Sequence, residues 1–192
     1  MKAIIVGSGP SARGFIPPDG VHVFAVNGAI EWIPRADYWF TLDPSADNLR
    51  RMNNPRPGVK YCAAVPEEYG IPAHVERLMR YAWRGEEPQP AGTPVWWLWR
   101  WSAVQTLSNR RGIIHTGNSA WGALGLAYHL GCDDALLVGV DGTTDARIEG
   151  GRPNNLSHLP FLFRSALNQV RVRTVGRMDG IETITVDEWL KE

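Results

Sequence analysis

The sequence predicts an α/β fold in which helices cover both faces of a mostly parallel sheet. The first observation is a short apolar segment, residues 3–6, that runs directly into a Gly-x-Gly turn at residues 7–11. The second is that later apolar segments also end in polar residues, and the third is an Ala/Leu/Gly-rich helix placed before an apolar strand. This order is typical of a doubly wound, Rossmann-like sheet, which here carries a Pro/Trp-rich insertion.

Each predicted element follows from a local pattern. A polar stretch at residues 46–54 predicts a short helix, and small apolar residues at 120–130 predict a second helix that stops at Gly131. A terminal helix is expected to begin at Asp187. The strands after the first are expected at residues 20–27, 37–43, 58–63, 134–142 and 181–186.

Residues 64–111 are predicted to form an inserted lid or subdomain within a single domain of residues 1–192. Prolines and charged residues between positions 66 and 93 argue against a sheet element there. Tryptophans follow at positions 96, 97, 99 and 101, and a strand would place the last three on one face. This run is interpreted as a platform for a sugar or base, as an anchor for the insertion, or as a contact between two copies.

The composition limits the classes of function. The chain has 192 residues with 20 basic and 20 acidic side chains, so nothing global attracts nucleic acid or an anionic membrane. Cys62 and Cys132 lie outside any CxxC spacing and are expected to be buried free thiols. No signal peptide, membrane span or metal-ligand spacing is recognisable, so we expect a cytoplasmic protein without a bound metal.

The glycine turn is the strongest functional signal in the chain, and it reads Gly7-Ser8-Gly9-Pro10-Ser11. Gly7 and Gly9 allow positive φ angles and a close approach of backbone N–H groups to a phosphate. The dinucleotide fingerprint requires a third glycine three residues later, where this chain has Ala12. The turn therefore indicates a nucleotide-binding protein of another kind.

Polar residues also end the other predicted strands. Asn27 closes the second strand, Asp43 the third, and Asp141 the strand at 134–142, while the turn Thr116-Gly117-Asn118-Ser119 opens the helix that precedes it. Because the carboxyl ends of parallel strands share one edge of the sheet, we expect these residues to converge with the glycine turn. The two aspartates either contact a ligand or cap the turns after their strands.

These motifs, in this order, resemble the nucleotide pocket of the bacterial CMP-sialic-acid-dependent sialyltransferases, glycosyltransferase family 42. The segments that carry the resemblance are residues 7–11, 26–27, 43–45, 116–119 and 137–141. The layout also resembles the 6-hydroxymethyl-dihydropterin pyrophosphokinase-like family and small uncharacterised phage proteins.

The resemblance implies a glycosyltransferase that uses a nucleotide-sugar and needs no metal, because hydrogen bonds and a general acid stabilise the leaving phosphate. The glycine turn and Asn27 would hold the phosphate and ribose, and residues 116–119 would close over the base or phosphate. His158 lies beyond the strand that ends at Asp141 and would be the general base; otherwise it packs in a loop or caps the next helix.

Two alternatives remain open from the sequence. A pyrophosphokinase-like enzyme would use ATP with Mg²⁺ held by Asp43 and Asp141. A nucleotide-binding accessory protein would keep the pocket without catalysis.

Overall fold

A parallel sheet of eight strands forms the centre of the protein in the computed structural model, which describes residues 1–192. Its strands are β1 (Lys2–Val6), β2 (His22–Val26), β3 (Tyr38–Thr41), β4 (Lys60–Ala63), β5 (Glu76–Arg77), β8 (Asp134–Val138), β9 (Arg171–Thr174) and β10 (Glu182–Thr183). They lie in the order β10-β9-β8-β1-β2-β3-β4-β5. The predicted doubly wound α/β fold is confirmed.

β1 occupies the middle of the sheet, where it pairs with β2 on one side and with β8 on the other. Its residues Ile4 and Ile5 face opposite sides and both are fully buried, as expected for a strand covered on both faces. The chain winds outward from β1 to β5 and then returns to β8 to continue in the opposite direction. The direction of winding therefore reverses between β1 and β8, and doubly wound sheets bind ligands beyond the carboxyl ends of the strands at such a point.

Helices cover the two faces of the sheet. On one face, α1 (Ala46–Asn53) and α5 (Val186–Lys191) contribute Met52 and Trp189 to the core; on the other lie α3 (Ser119–His129) and α4 (Leu159–Ser165). α3 packs close to β3, and a Cβ atom at Gly122 would lie 2.6 Å from the Phe40 ring. The predicted helices at 46–54, at 120–130 and from Asp187 are confirmed to within one residue.

α4 and β9 are not among the predicted elements. The reason is seen in β9, whose sequence Arg-Val-Arg-Thr contains no apolar run. Three of its four residues are nevertheless buried, and Arg173 is fully buried. Two hydrogen bonds, of 2.7 and 2.8 Å, join the Arg173 guanidinium to the Asp134 carboxylate, and Glu192 provides a second partner. A buried charge is tolerated when it is paired in this way, but sequence periodicity does not reveal the pair.

The predicted insertion is more closely integrated than a separate lid. Within residues 64–111, β5 extends the main sheet by pairing with β4, which corrects the expectation that no sheet element occurs there. β5 is only two residues long and both are exposed, so it lacks the apolar alternation that marks a strand. A second small sheet pairs β6 (Met79–Tyr81) with β7 (Ile113–His115).

The tryptophan run forms a helix, so the one-face arrangement that a strand would give to positions 97, 99 and 101 does not apply. α2 (Pro94–Arg100) begins after Thr93, whose hydroxyl accepts a hydrogen bond from the Trp96 N–H, and Pro94 occupies the first helical turn. Helical spacing then stacks Trp97 on Trp101, with ring centroids 6.1 Å apart. None of the helices is long and apolar enough to cross a membrane.

Candidate functional site

A cleft opens at the carboxyl edge of the sheet, at the reversal between β1 and β8, and it has two adjoining compartments. The narrow compartment, about 90 Å³, lies between the glycine turn, Asp141 and Glu149. The wide compartment, about 490 Å³, lies between Arg80, Trp101 and the start of α3. Asn27, Asn118, Arg147 and Leu156 line both compartments.

The structure brings together almost every residue that the sequence analysis selected. The narrow compartment is lined by Gly7, Ser8, Gly9, Pro10, Asn27, Asn118 and Asp141. The wide compartment is lined by Asn27, Asp43, Thr116, Gly117, Asn118, Ser119 and His158. Ser11 lines neither compartment, because its side chain and N–H face the β8 end of the sheet. The expected convergence of strand ends is therefore present, and ligand binding by these residues stays a prediction.

The backbone of the glycine turn differs from the expected phosphate cradle. Gly7 and Gly9 are not in the positive-φ region; Gly9 has φ −71°. The N–H groups of Gly7 and Gly9 donate to the Val138 and Gly139 carbonyls at 2.8 Å each. Both positions require glycine because the turn lies against β8: a Cβ atom at Gly7 would be 2.5 Å from Gly139 O.

Asp141 adds a side-chain link to this contact between the glycine turn and the end of β8. Its Oδ2 accepts a hydrogen bond from the Ser11 N–H at 2.9 Å, while the Ser11 hydroxyl accepts one from the Gly139 N–H at 2.8 Å. The carboxylate also lies against Gly9, where an added Cβ would be 2.5 Å from Oδ2. Asp141 therefore joins the ends of β1 and β8, which matches the turn-capping interpretation of this residue.

Asn27 has a strained backbone that is fixed by its neighbours. Its φ is +51°, which is uncommon for a residue other than glycine. The Oδ1 atom accepts hydrogen bonds from Thr41 Oγ1 at 2.6 Å and from Asn48 Nδ2 at 3.2 Å, and the carbonyl accepts one from Trp39 Nε1 at 2.8 Å. Since these bonds use only acceptor atoms, the Nδ2 group remains available as a donor where Asn27 lines the cleft.

Asp43 is also held by protein donors. Its Oδ1 accepts a hydrogen bond from the Ser45 N–H at 3.1 Å, and its Oδ2 accepts one from Asn48 Nδ2 at 3.3 Å. Ser45 in turn caps α1 through its hydroxyl. The Asp43 carboxylate thus organises the turn between β3 and α1 while it lines the wide compartment.

The turn before α3 presents the N-terminus of an 11-residue helix to the wide compartment. Asn118 is the N-cap, and its Oδ1 accepts a hydrogen bond from the Ala120 N–H at 2.8 Å. The Ser119 hydroxyl accepts one from the Leu42 N–H at 3.1 Å, and the Thr116 hydroxyl donates to the Ser102 carbonyl at 2.6 Å. The positive end of the α3 dipole therefore faces the cleft.

His158 lies in the wall of the wide compartment, with only 1% of the residue exposed. Its Nε2 is 3.2 Å from the Gly117 carbonyl oxygen, which can only accept, so Nε2 carries the hydrogen and Nδ1 is the basic nitrogen. Nδ1 is buried without a partner, and burial lowers the pKa of the imidazole. His158 is the N-cap residue of α4, but its side chain makes no capping hydrogen bond. The general-base role stays a prediction that requires Nδ1 to become accessible.

Two arginines of the cleft, Arg80 and Arg147, are not among the predicted site residues. Arg80, on β6, is half-buried in the wall of the wide compartment, and Nη1 has one long hydrogen bond, of 3.4 Å, to the Leu42 carbonyl. No carboxylate lies within ion-pair distance of it, and burial lowers its pKa while the charge of Glu68 opposes that shift. Arg147 is exposed at the boundary of the two compartments. Neither position belongs to a recognisable motif.

The two compartments differ in charge. Three carboxylates line the narrow compartment, from Asp141, Asp145 and Glu149, against the single cation Arg147. The wide compartment has two cations, Arg80 and Arg147, two carboxylates, Asp43 and Glu68, and the N-terminus of α3. The lining charges of the wide compartment therefore balance, whereas carboxylates are in excess in the narrow one, so a phosphate is disfavoured less in the wide compartment.

No protein-family model, curated protein or solved structure matches the chain. No group of three or more His, Cys, Asp and Glu side chains is arranged to hold a metal ion.

Proposed function

We propose that the protein binds a nucleotide or nucleotide-sugar in this cleft, with the phosphate in the wide compartment between Arg80, Arg147 and the N-terminus of α3. The observation that carries the proposal is the half-buried Arg80 guanidinium, which lacks a carboxylate partner. Burying a charged group is costly unless it is paired, and a ligand phosphate would supply two acceptor oxygens to the guanidinium.

The rest of the cleft fits the uncharged parts of such a ligand. Trp101 is the one member of the tryptophan run that lines the wide compartment, and an indole face suits a sugar ring or a base. The amides of Asn154 and Asn155 line the same compartment and can bond to hydroxyl groups. The narrow compartment offers carboxylates, which accept hydrogen bonds from hydroxyl donors.

Glycosyl transfer is the reaction that we propose for this arrangement. An acceptor hydroxyl oxygen would form a bond to the anomeric carbon while the bond from that carbon to the phosphate oxygen breaks. The leaving phosphate takes the electron pair and would be stabilised by Arg80 and the α3 dipole. The acceptor proton passes to a base, which the family resemblance assigns to His158.

A second candidate is a nucleotide-binding protein without catalytic activity. The burial of His158 Nδ1 favours this candidate, because an inaccessible base cannot take a proton from an acceptor. Release of free nucleotide from a nucleotide-sugar separates the two candidates: the transferase produces it and the binding protein does not.

The first test is a thermal-shift panel of CMP, CDP, UDP, GDP, ATP and NAD⁺, each with and without Mg²⁺. A ligand at about 100 times its Kd stabilises the folded state by about 2.7 kcal/mol, which is readily measured. Stabilisation by a nucleoside mono- or diphosphate without Mg²⁺ would support the proposal. Stabilisation only by ATP with Mg²⁺ would favour pyrophosphoryl transfer, and no stabilisation by any of them would refute nucleotide binding.

A further inference from the structure

Glu149 lies on a segment that covers the glycine turn. We call residues 142–157, which connect β8 to α4, the strap. The Ile148 N–H donates to the Ser8 carbonyl at 2.9 Å, which fixes the strap on the end of β1. Two backbone hydrogen bonds of 3.0 Å, which join Arg147 to Gly150 and Gly151, close residues 147–151 of the strap into a tight loop. The strap thus places Glu149 beside Gly28, directly after the end of β2.

The Glu149 carboxylate lacks a donor from the protein. Its Oε2 atom is buried without a hydrogen-bond partner, and its other oxygen lies so close to Gly28 that any Cβ there would overlap it. The other two strand-end carboxylates, Asp43 and Asp141, have backbone N–H donors. An unpaired buried carboxylate oxygen is costly, so Glu149 is built to receive a donor that the chain does not provide.

We propose that Glu149 accepts hydrogen bonds from the ribose hydroxyls of a bound ribonucleotide, an inference that rests on the proposed function. A carboxylate repels the phosphate, so the part of the ligand that it binds must carry O–H or N–H donors. The end of β2 lies beside the glycine turn. The residues that follow β2, Asn27 and Gly28, have no carboxylate, so Glu149 supplies the one beside them. Oε2 is buried in this structure, so the Glu149 side chain must turn toward the narrow compartment that it lines for a ribose hydroxyl to reach this atom.

The test compares matched ligands and variants by calorimetry. The probe is the nucleotide that stabilises the protein most in the thermal-shift panel, in its ribo, 2′-deoxy and 2′,3′-dideoxy forms. We expect the wild-type protein to bind the dideoxy form roughly 10-fold or more weakly than the ribo form, as for a lost hydrogen bond to a charged group. Glu149→Met, which keeps the volume and removes both acceptors, should bind all three forms equally weakly.

Two further measurements separate a binding role from a structural one. Glu149→Met should fold with unchanged or higher thermal stability, because it removes an unpaired buried oxygen. Glu149→Gln keeps the shape with one acceptor and should show an intermediate preference for the ribo form. Glu86→Gln, an exposed residue with no ion pair or side-chain hydrogen bond, is the matched control and should bind like the wild type.

The outcomes distinguish this inference from the proposed function. If the wild-type protein binds ribo and dideoxy forms equally, the role of Glu149 is refuted while nucleotide binding stands. If Glu149→Met keeps the wild-type preference for the ribo form, the role is likewise refuted. If the wild-type protein binds no nucleotide, both proposals fail together.

Discussion

The two compartments of the cleft show how differently one sheet edge can be used. Beside the narrow compartment, the N–H groups of the glycine turn bond to the end of β8 and the residues after it: Gly7 and Gly9 donate to backbone carbonyls, and Ser11 donates to Asp141. In the wide compartment, Arg80 has one long hydrogen bond to the protein and no carboxylate partner. The glycine-rich end of β1 thus serves close strand packing, while the insertion supplies a guanidinium without a carboxylate partner.

We expect the largest effect on the free energy of unfolding, from a substitution at the contact between the glycine turn and the end of β8, beside the narrow compartment. Gly139 has φ +66°, and an added Cβ would overlap the Gly7 carbonyl and lie 2.7 Å from the Ala12 Cβ. We expect Gly139→Ala to lower the free energy of unfolding by roughly 2–4 kcal/mol, measured by urea denaturation. Gly142→Ala is the matched control, since nothing lies within 4 Å of its added Cβ. Equal stability of the two variants would show that the β1–β8 junction is not the close contact described above.

We expect the next largest effect on nucleotide affinity, from a substitution in the wide compartment. Arg80→Gln should weaken nucleotide affinity by roughly 10- to 100-fold, as for the loss of a hydrogen bond between charged groups, and should leave folding stability nearly unchanged. Arg111→Gln, on an exposed residue outside the cleft, is the control for a general loss of positive charge. If calorimetry gives the same affinity for the wild type and Arg80→Gln, the phosphate does not bind at Arg80.

We expect smaller effects, on both folding stability and nucleotide affinity, from substitutions at the start of α3. Asn118→Ala removes the N-cap and should cost about 1 kcal/mol in thermal or urea denaturation. Asn118→Asp keeps a capping oxygen and adds a negative charge, so it should preserve stability while weakening nucleotide binding. Unchanged affinity in Asn118→Asp would place the phosphate away from the α3 N-terminus.

The smallest effect is the pH dependence contributed by His158. Because burial lowers the pKa of His158, the unfolded state binds the proton more readily than the folded state. The stability that this residue contributes is fully present above its ordinary pKa of 6.5 and is lost as the pH falls below that value. In His158→Gln this part of the pH dependence should disappear, whereas the exposed-residue control His22→Gln should keep it. Identical slopes in all three proteins would contradict the burial of a neutral imidazole.

The doubly wound fold class and the edge of the sheet that carries the cleft could be predicted, because apolar strands and polar strand ends are local patterns. The expected convergence of Asn27, Asp43 and Asp141 followed from parallel topology alone. What these residues bind could not be predicted, because hydrogen bonds between distant segments decide it: Ser11 and Asp141 are 130 positions apart.

The strands of the insertion could not be predicted because they are too short. Its two-residue strand β5 is exposed, and Arg80 lies on the three-residue strand β6, so neither element has enough residues to establish a periodicity. The helix at the tryptophan run could have been found from Thr93 and Pro94, which form a capping signal directly before it. Arg80 itself carries no local signal, because its importance comes from the absence of a partner in three dimensions.

The most direct test of the central claim is an amide chemical-shift titration of the protein with the nucleotide that stabilises it most. We expect the largest backbone shifts at residues 117–121, at the N-terminus of α3, and we expect Arg80→Gln to reduce them. Largest shifts at residues 7–11, retained in Arg80→Gln, would contradict this claim and would assign the phosphate to the glycine turn.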